Sequence, residues 1–325
     1  MGRIDEETQM NASPNASPRC RKALITGGTD GIGKEIARGL AARGCEVLVV
    51  GSDAEKGERA VRDLRQSTQN PGVAFLRADL ALMRETRDLA DRVRARWPVL
   101  DYLVLNAGVV LGKHELTQEG VERTFAINYL SRFVLARQLL FLLARGGDAG
   151  RVARILVVSG AARGGKVRFD DVNLLASFGT LRAVSQFCRA NDLFTVELAH
   201  RLWLRAAGGS PTVTCLKIGV VKTGIRRRFP AWMKIVVPLL FDPLLGQTAH
   251  DAAQAGLHLL LAEDLEGVTG ALFSKVGKLK RLASSADVAS LEEAQRLWDL
   301  SERLAGGPLA PVSVGESGAA SGGAR

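Results

Sequence analysis

The sequence has few cysteines, few aromatic side chains and no long uninterrupted apolar run. Its four cysteines are too widely separated for a zinc site or a Cys-x-x-Cys pair, so no metal is expected and the thiols are predicted to be reduced. Aromatic residues make up only 5% of the chain, and no dense basic run is interleaved with them, which argues against a nucleic-acid partner. The best apolar stretch, residues 235–245, is interrupted by Pro238, Asp242 and Pro243 and is shorter than the ~18–20 residues of a spanning helix.

Both ends of the chain also lack the composition of a folded core. Residues 1–19 hold acidic side chains and an Asn-Ala-Ser-Pro repeat, without the apolar segment of a signal peptide. Residues 306–325 are dominated by glycine, alanine and serine. We therefore expect two disordered tails around one domain at 20–305, with no transmembrane segment and a cytoplasmic location.

What the chain does have is alternation between short apolar runs and longer helical patterns. The runs are rich in β-branched residues and nearly continuous in hydrophobicity, as strands buried on both faces must be. The predicted strands are Lys22–Thr26, Glu46–Val50, Val73–Arg77, Asp101–Leu105, Ala153–Ser159, Thr212–Lys217 and Gly270–Ser274. This order predicts a single α/β domain of three layers, a Rossmann-like, doubly wound parallel sheet of about seven strands.

The helical patterns lie between these strands and after the last one. The predicted helices are Gly31–Arg43, Ala54–Arg65, Leu82–Trp97, Thr117–Leu143, Leu181–Arg205, Gln247–Leu261 and Ser290–Ala305. Residues 222–246 break the rhythm with a long, apolar and proline-containing segment. That segment is either a lid over a substrate site or an ordinary packed loop.

A glycine-rich turn joins the first strand to the first helix. It reads Thr-Gly-Gly-Thr-Asp-Gly-Ile-Gly, and its candidate phosphate contacts are Gly27, Thr29, Asp30, Gly31, Ile32 and Gly33. Bare backbone can approach a pyrophosphate, and the free N–H groups at the start of the helix face it. Because the motif stands between a strand and a helix, it favours a dinucleotide site over a merely tight turn.

The spacing of this turn resembles that of the short-chain dehydrogenase/reductase family, and further motifs extend the resemblance over about residues 20–305. The segments Phe169–Asn173 and Leu193–Leu198 are typical of its retinol-dehydrogenase-like branch. The resemblance implies an NAD(P)-binding oxidoreductase with a small-molecule substrate. It also implies further cofactor contacts at Asp79, Leu80, Asn106, Ala107, Gly108 and Thr223, and a catalytic role for Asn128.

The end of the second strand bears on the choice between NAD and NADP. An acidic residue there would favour NAD, and an arginine would favour NADP. The chain has Gly51 and Ser52, so neither signal is present, although Ser52 can hydrogen-bond either ribose. Lys56 and Arg77 are the nearest candidate partners for a 2′-phosphate. The sequence favours NADP by a small margin.

The proton-transfer residues implied by the resemblance are replaced in this chain. The family uses a serine, a tyrosine whose pKa is lowered by an ammonium group, and the lysine that carries that group. Gly160, Val184 and Cys188 stand at those three positions, and only Asn128 is retained. Shifting the alignment would break the flanking matches, so a register error does not explain the loss.

No other residue is an obvious replacement. Tyr102 begins a strand, and Tyr129 points about 100° round a helix from Asn128. Ser159 is predicted to pack under the sheet, and Ser185 to be an ordinary helix serine. Cys188 is expected to be an inert buried thiol. His114, which follows the Asn-Ala-Gly turn, is the best candidate acid because histidine titrates near neutral pH.

These observations leave three functional hypotheses and a weaker fourth idea, peripheral membrane attachment through Trp232–Leu245. The first is a divergent NAD(P)(H)-dependent oxidoreductase for a small apolar carbonyl or alcohol. The second is a non-redox enzyme, such as a cyclase, isomerase or dehydratase, in the same pocket. The third is a cofactor-binding pseudoenzyme that partners an active homologue. The resemblance also implies a homo-oligomer that associates through the helices at Thr117–Leu143 and Leu181–Arg205.

Overall fold

An eight-stranded sheet forms the centre of the computed structural model, which describes residues 21–147, 152–162, 164–204, 210–219, 221, 247–282 and 291–306. The strands are β1 (Lys22–Thr26), β2 (Glu46–Gly51), β3 (Val73–Arg77), β4 (Tyr102–Leu105), β5 (Arg154–Gly160), β6 (Thr212–Ile218), β7 (Ala271–Val276) and β8 (Lys278–Arg281). Their order is β3-β2-β1-β4-β5-β6-β7-β8, and only the last pair is antiparallel. The predicted doubly wound fold is confirmed.

Helices cover both faces of the sheet. They are α1 (Gly31–Ala41), α2 (Ala54–Thr68), α3 (Met83–Arg96), α4 (Arg123–Phe125), α5 (Ser131–Gly147), α6 (Thr180–Leu204), α7 (Ala249–Leu261) and α8 (Leu291–Leu304), with a π-helical segment at Ala126–Leu130 and a 3₁₀ turn at Glu263–Leu265. Two apolar clusters fill the layers, one on each face. Alternate residues of a strand enter opposite clusters, as Val157 and Val158 of β5 do.

The structure corrects two predicted elements. The helix predicted at Thr117–Leu143 begins only at Arg123, because Gly120 has a φ of +75° and closes a turn before it, and a π segment then divides it. Strand β8 was not predicted at all. Its Lys-Leu-Lys-Arg sequence is charged because it lies at the edge of the sheet, where the residues are mostly exposed.

Helix α8 lies across the face formed by α5 and α6. Its Trp298 is 2% exposed and stands edge-on to Phe133 at 4.9 Å between ring centroids. The guanidinium of Arg201 lies 4.2 Å from the centre of the same indole ring. The hydroxyl of Ser301 is 2.7 Å from that of Tyr129. The chain's own C-terminal helix therefore covers much of the face at which the sequence predicts association with a second copy.

One helical stretch among the described residues, Arg123–Arg145, is long and apolar enough to cross a membrane by its composition. Of its most apolar window, 89% is buried within the fold, between the sheet and the neighbouring helices. Its apolarity is therefore accounted for by its place in the core.

The predicted tail at 1–19, the predicted tail at 306–325 apart from Gly306, and the predicted lid at 222–246 with Thr223 lie outside the described residues. The described cysteines, Cys45, Cys188 and Cys215, are buried and form no disulfide with one another. Reduced thiols are what the sequence predicts for them.

Candidate functional site

The glycine-rich turn lies where the order of the strands reverses, between β1 and β4. The side-chain oxygen of Thr26 accepts hydrogen bonds from the backbone N–H groups of Asn106, at 2.9 Å, and Ala107, at 3.1 Å. The Asn106 amide nitrogen in turn donates to the carbonyl oxygens of Thr26 and Gly27, each at 3.2 Å. These bonds fix the carboxyl ends of two adjacent strands, which is the usual place for a dinucleotide crevice.

Glycine is required at two positions of this turn. Gly27 has a φ of +65°, a conformation that side chains other than glycine rarely adopt. A Cβ on Gly33 would lie 2.4 Å from the carbonyl oxygen of Gly27 and 2.5 Å from the Asn106 amide nitrogen. The first turn of α1 is therefore seated directly on the β1 loop. The residues present fit a pyrophosphate group, because bare backbone and a helix N-terminus meet there.

Asp30 occupies the N-cap of α1. One carboxylate oxygen accepts from the N–H of Gly31 at 2.7 Å, and the other lies 2.6 Å from the Lys56 ammonium. The pair bridges the start of α1 to the start of α2, near the strand end that carries Ser52. The Ile32 side chain is buried in the core, which leaves only its main chain for a cofactor contact.

At the adenosine end of the crevice, the structure places Ser52 in an exposed position after β2. Arg77 is also exposed and pairs in register with Gly51 on the neighbouring strand. Asp79 accepts from the backbone of Ala81 at 3.0 Å and lies 3.4 Å from Arg123. The side chain of Leu80 is buried in the core and leaves only its backbone free for a ligand.

Asn128 lies in the π-helical segment and is tied to the loop that follows β4. Its side-chain oxygen accepts from the N–H of Val109 at 3.1 Å, and its amide nitrogen donates to the carbonyl oxygens of Val109 and Thr124 at 2.9 and 2.7 Å. A Cβ on Gly108 would lie 2.7 Å from the Asn128 side-chain oxygen. Asn128 therefore shapes this loop and leaves little room for any residue but glycine at 108.

Arg132 was not predicted as a site residue. It links β5, α6 and the loop after β4. Its guanidinium donates to the carbonyl oxygens of Val158 at 2.7 Å and Ala107 at 2.8 Å, and to the side-chain oxygen of Asn191 at 3.1 Å. Full burial lowers the pKa of Arg132 to about 10. The available signal was an arginine, one of two at Arg132 and Arg137, inside the apolar helical stretch 131–143.

The three positions at which the sequence predicts replaced catalytic residues lie at the end of β5 and near the start of α6. A Cβ on Gly160 would be 2.9 Å from the Sγ of Cys188, so the thiol occupies the space beside position 160. Burial raises the pKa of the Cys188 thiol, and the backbone of Ala162 and the hydroxyl of Ser159 oppose this only in part. Val184 is half-buried and packs against the apolar cluster. The thiol is a buried, protonated group at neutral pH.

The other candidates for proton transfer are held elsewhere. The Nε2 of His114 is 2.7 Å from the carbonyl oxygen of Asn173, which occupies one ring nitrogen. The Ser185 hydroxyl donates to the carbonyl oxygen of Arg182, at 3.0 Å, within the same helix. Tyr129 is buried against Ser301, and desolvation raises its pKa. Tyr102 is buried at the amino end of β4, the end of the sheet opposite the crevice.

A second feature absent from the sequence analysis is a buried ion pair beside Cys188. The ammonium of Lys217, near the carboxyl end of β6, contacts a carboxylate oxygen of Asp192 on α6. Their side chains are only 9% and 10% exposed. Burial raises the pKa of Asp192, although the charge of Lys217 opposes the shift. A lysine near the end of an apolar strand was the only sequence signal.

Comparison with known proteins agrees with this geometry. A family model described as short chain dehydrogenase matches residues 21–168. Retinol dehydrogenase 13 of Mus musculus is 36% identical over 300 residues, which cover 91% of this chain and 86% of that protein. The chain belongs to the short-chain dehydrogenase family.

Other relatives of this short-chain dehydrogenase extend the comparison. Polyprenol dehydrogenase of Homo sapiens is 34% identical over 251 residues, which cover 77% of this chain and 75% of that protein. A Pseudomonas aeruginosa structure, the RhlG/NADP active-site complex, superposes with a TM-score of 0.62 at 24% identity, covering 79% of this chain and 95% of that one. At that identity the superposition supports the fold alone.

The relatives overturn the expected cytoplasmic location, and that prediction is wrong. They are named for retinol and polyprenol, alcohols that dissolve in membranes rather than in water. The helix Arg123–Arg145 passes the test of length and composition for a membrane span, although its burial makes this weak support on its own.

Proposed function

We propose that this short-chain dehydrogenase binds a nicotinamide cofactor and interconverts an apolar alcohol and its carbonyl compound. The observation that carries the proposal is the crevice at β1 and β4, where the positive φ of Gly27 and the close packing of α1 at Gly33 bring a helix N-terminus to the strand ends, as a pyrophosphate site requires. When bound, the nicotinamide supplies or accepts the hydride, and the protein contributes position and electrostatics. The names of the relatives support an isoprenoid substrate.

The first test of this proposal is direct cofactor binding, followed by turnover. NADH and NADPH fluorescence is titrated with the full chain, and oxidation of the bound form is then followed with retinaldehyde and with shorter apolar aldehydes. We expect saturable binding and slow turnover that favours the longer aldehydes. Absence of binding by either nucleotide would contradict the whole proposal.

For the cofactor we propose a preference for NADP, supported by Lys56 and Arg77. Both lie near the exposed Ser52, where a 2′-phosphate would need positive charge. The ion pair between Asp30 and Lys56 opposes this preference, because the Lys56 ammonium must leave the Asp30 carboxylate in order to bind the 2′-phosphate. Lys56→Ala should therefore weaken the binding of NADPH more than the binding of NADH. An equal effect on both would favour a site that does not distinguish them.

A second candidate function is a cofactor-binding pseudoenzyme. It is favoured because Gly160, Val184 and Cys188 stand where the family resemblance implies catalytic side chains. Turnover by the natural protein separates the pseudoenzyme from the oxidoreductase, and the triple variant Gly160→Ser, Val184→Tyr, Cys188→Lys tests whether the pocket is intact. If the pocket is intact and lacks only its proton donor, the variant should raise carbonyl reduction above that of the natural protein. A silent triple variant would favour a rebuilt pocket for non-redox chemistry instead.

A further inference from the structure

Lys217, Asp192 and Ser159 form a buried polar group next to the positions of the replaced residues. Lys217 and Ser159 are partners in the register of β5 and β6, so their side chains leave the same face of the sheet about 5 Å apart. Ser159 is 3% exposed, and its hydroxyl, which lies by the thiol of Cys188, has no hydrogen-bond partner within the described part of the chain. A Cβ on Gly160, the next residue along β5, would lie 2.9 Å from the same thiol. The polar group therefore reaches from α6 to the edge of the pocket.

Asp192 is incompletely satisfied in this arrangement. One carboxylate oxygen contacts Lys217, whereas Oδ1 is buried and has no hydrogen-bond partner within the described part of the chain. A buried carboxylate with an open oxygen is costly for a purely structural ion pair. It suits a group that exchanges protons with a neighbour or with a ligand.

We propose that Lys217 and Asp192 are the proton-exchange pair of this site and act through the hydroxyl of Ser159. The inference rests on the proposed redox function. Lys217 is a positioning residue in this scheme, because it acts through Ser159, its register partner on β5 and the neighbour of Gly160. Lysine suits the role because an ammonium group can release its proton when buried, whereas a guanidinium does not.

The balance of the step is simple. Reduction of a carbonyl compound adds a hydride to carbon, which the nicotinamide loses, and a proton to oxygen. Ser159 passes that proton on and recovers one from the Lys217 ammonium, which becomes a neutral amine. Water returns the proton to Lys217 after the alcohol leaves, and oxidation of an alcohol runs the same transfers in reverse.

The charged and titratable groups around Lys217 set its surroundings. Helix α6 contributes Asp192, Cys188 and Arg189, whose charge lowers the pKa of Asp192. Helix α5 contributes Arg132, whose charge acts on the Cys188 and Cys215 thiols. Cys215 lies on the same strand, two residues before Lys217, while β7 presents the neutral Ser274 in register. Among the described residues, Asp192 is thus the only carboxylate in contact with the ammonium.

The experiment compares Lys217→Met, Lys217→Arg and Asp192→Asn with a matched control, Lys22→Met. The control also removes a lysine–carboxylate pair, Lys22–Glu46, but at the amino end of the sheet. Turnover, its pH profile, cofactor affinity and thermal unfolding are measured for each. If Lys217→Met does not fold, Lys217→Met/Asp192→Leu removes both charges and takes its place.

We expect Lys217→Arg to keep its unfolding temperature and cofactor affinity while turnover falls by about 10²-fold or more and its pH dependence flattens. Lys22→Met should keep turnover within about twofold. Turnover of Lys217→Arg near that of the natural protein would show that the pair only stabilises the fold. Failure of the natural protein to turn over any aldehyde would remove the redox function itself, and this inference with it.

A second readout needs neither cofactor nor substrate. The charge of Lys217 lowers the pKa of the Cys188 thiol against the larger effect of burial. The ionisation of Cys188, followed by thiolate absorbance against pH in a chain whose other cysteines are alanine, should therefore need a higher pH in Lys217→Met and stay unchanged in Lys217→Arg. The same ionisation pH in all three proteins would mean that the ammonium does not act at the pocket edge, which would overturn the inference.

Discussion

Gly160 and Cys188 compete for one small volume at the end of β5. A methyl group on Gly160 would come within 2.9 Å of the thiol, closer than carbon and sulfur normally approach. The loss of a side chain at 160 and the presence of a compact one at 188 are therefore structurally linked. This link also means that restoring a serine at 160 requires a change at 188.

The link gives a double-mutant prediction. Gly160→Ala should destabilise the protein by about 1–3 kcal/mol through overpacking. In a Cys188→Ala background the same substitution should cost much less, because the sulfur is gone. Denaturant unfolding of the four proteins measures the coupling. Additive effects would show that the two residues relax independently.

Gly33 supports a second prediction at the same scale. An added Cβ at this position meets backbone, the Gly27 carbonyl oxygen, at 2.4 Å, and α1 must move away from the turn. The strain of about 1–3 kcal/mol corresponds to roughly 5–150-fold weaker NADH or NADPH binding if it falls on the cofactor site. Fluorescence titration of Gly33→Ala measures it.

Gly39→Ala is the matched control for Gly33→Ala. It lies in the same helix, and its Cβ meets the end of the Leu257 side chain at 2.3 Å rather than backbone. Some stability should be lost without a change in cofactor affinity. If both variants weaken the cofactor equally, the effect comes from α1 as a whole and not from the turn.

At the scale of elements, sequence patterns located every parallel strand, because a strand buried on both faces is continuously apolar. The same criterion failed for β8, because its charged residues lie on an exposed edge of the sheet. Helical periodicity also failed to predict the π segment around Asn128, because an extra residue in one turn leaves composition unchanged. The contacts of Arg132 and Lys217 depend on which strands become neighbours, and local patterns do not contain that information.

Helix α8 provides a prediction about association. Trp298 packs on aromatic rings of α5 and α6, so Trp298→Ala should cost about 3–5 kcal/mol of stability. It should also uncover Phe133 and Phe194. Light scattering coupled to gel filtration should show greater self-association of the variant than of the natural protein.

A control and a contrary outcome complete this test. Asp299→Ala alters an exposed residue of the same helix, next to Trp298 in the sequence, and should leave mass and stability unchanged. If the natural protein is already a stable dimer and Trp298→Ala is not more associated, then α8 does not act as a cover for this face.

At the scale of the whole molecule, the net charge of +10 bears on location. A basic protein is attracted to anionic lipid surfaces, and this attraction weakens as salt shortens the range of the field. We expect the full chain to sediment with phosphatidylserine vesicles at low salt and to be released by about 0.5 M NaCl. Phosphatidylcholine vesicles are the control.

Binding that survives high salt would indicate an apolar insertion instead of a charge effect. Absence of binding to either vesicle would leave the basic surface without a membrane role. Both results bear on how an apolar alcohol would reach the crevice, since such substrates are held in lipid rather than in water.

The position of α8 in the chain also affects how the protein is made. Phe194 leaves the ribosome 104 residues before Trp298, the side chain that covers it. Because synthesis proceeds at about 5–20 residues per second, the aromatic surface stays uncovered for roughly 5–20 s. The nascent chain therefore exposes an apolar surface until α8 has been synthesised. This interval is when a chaperone would be needed most.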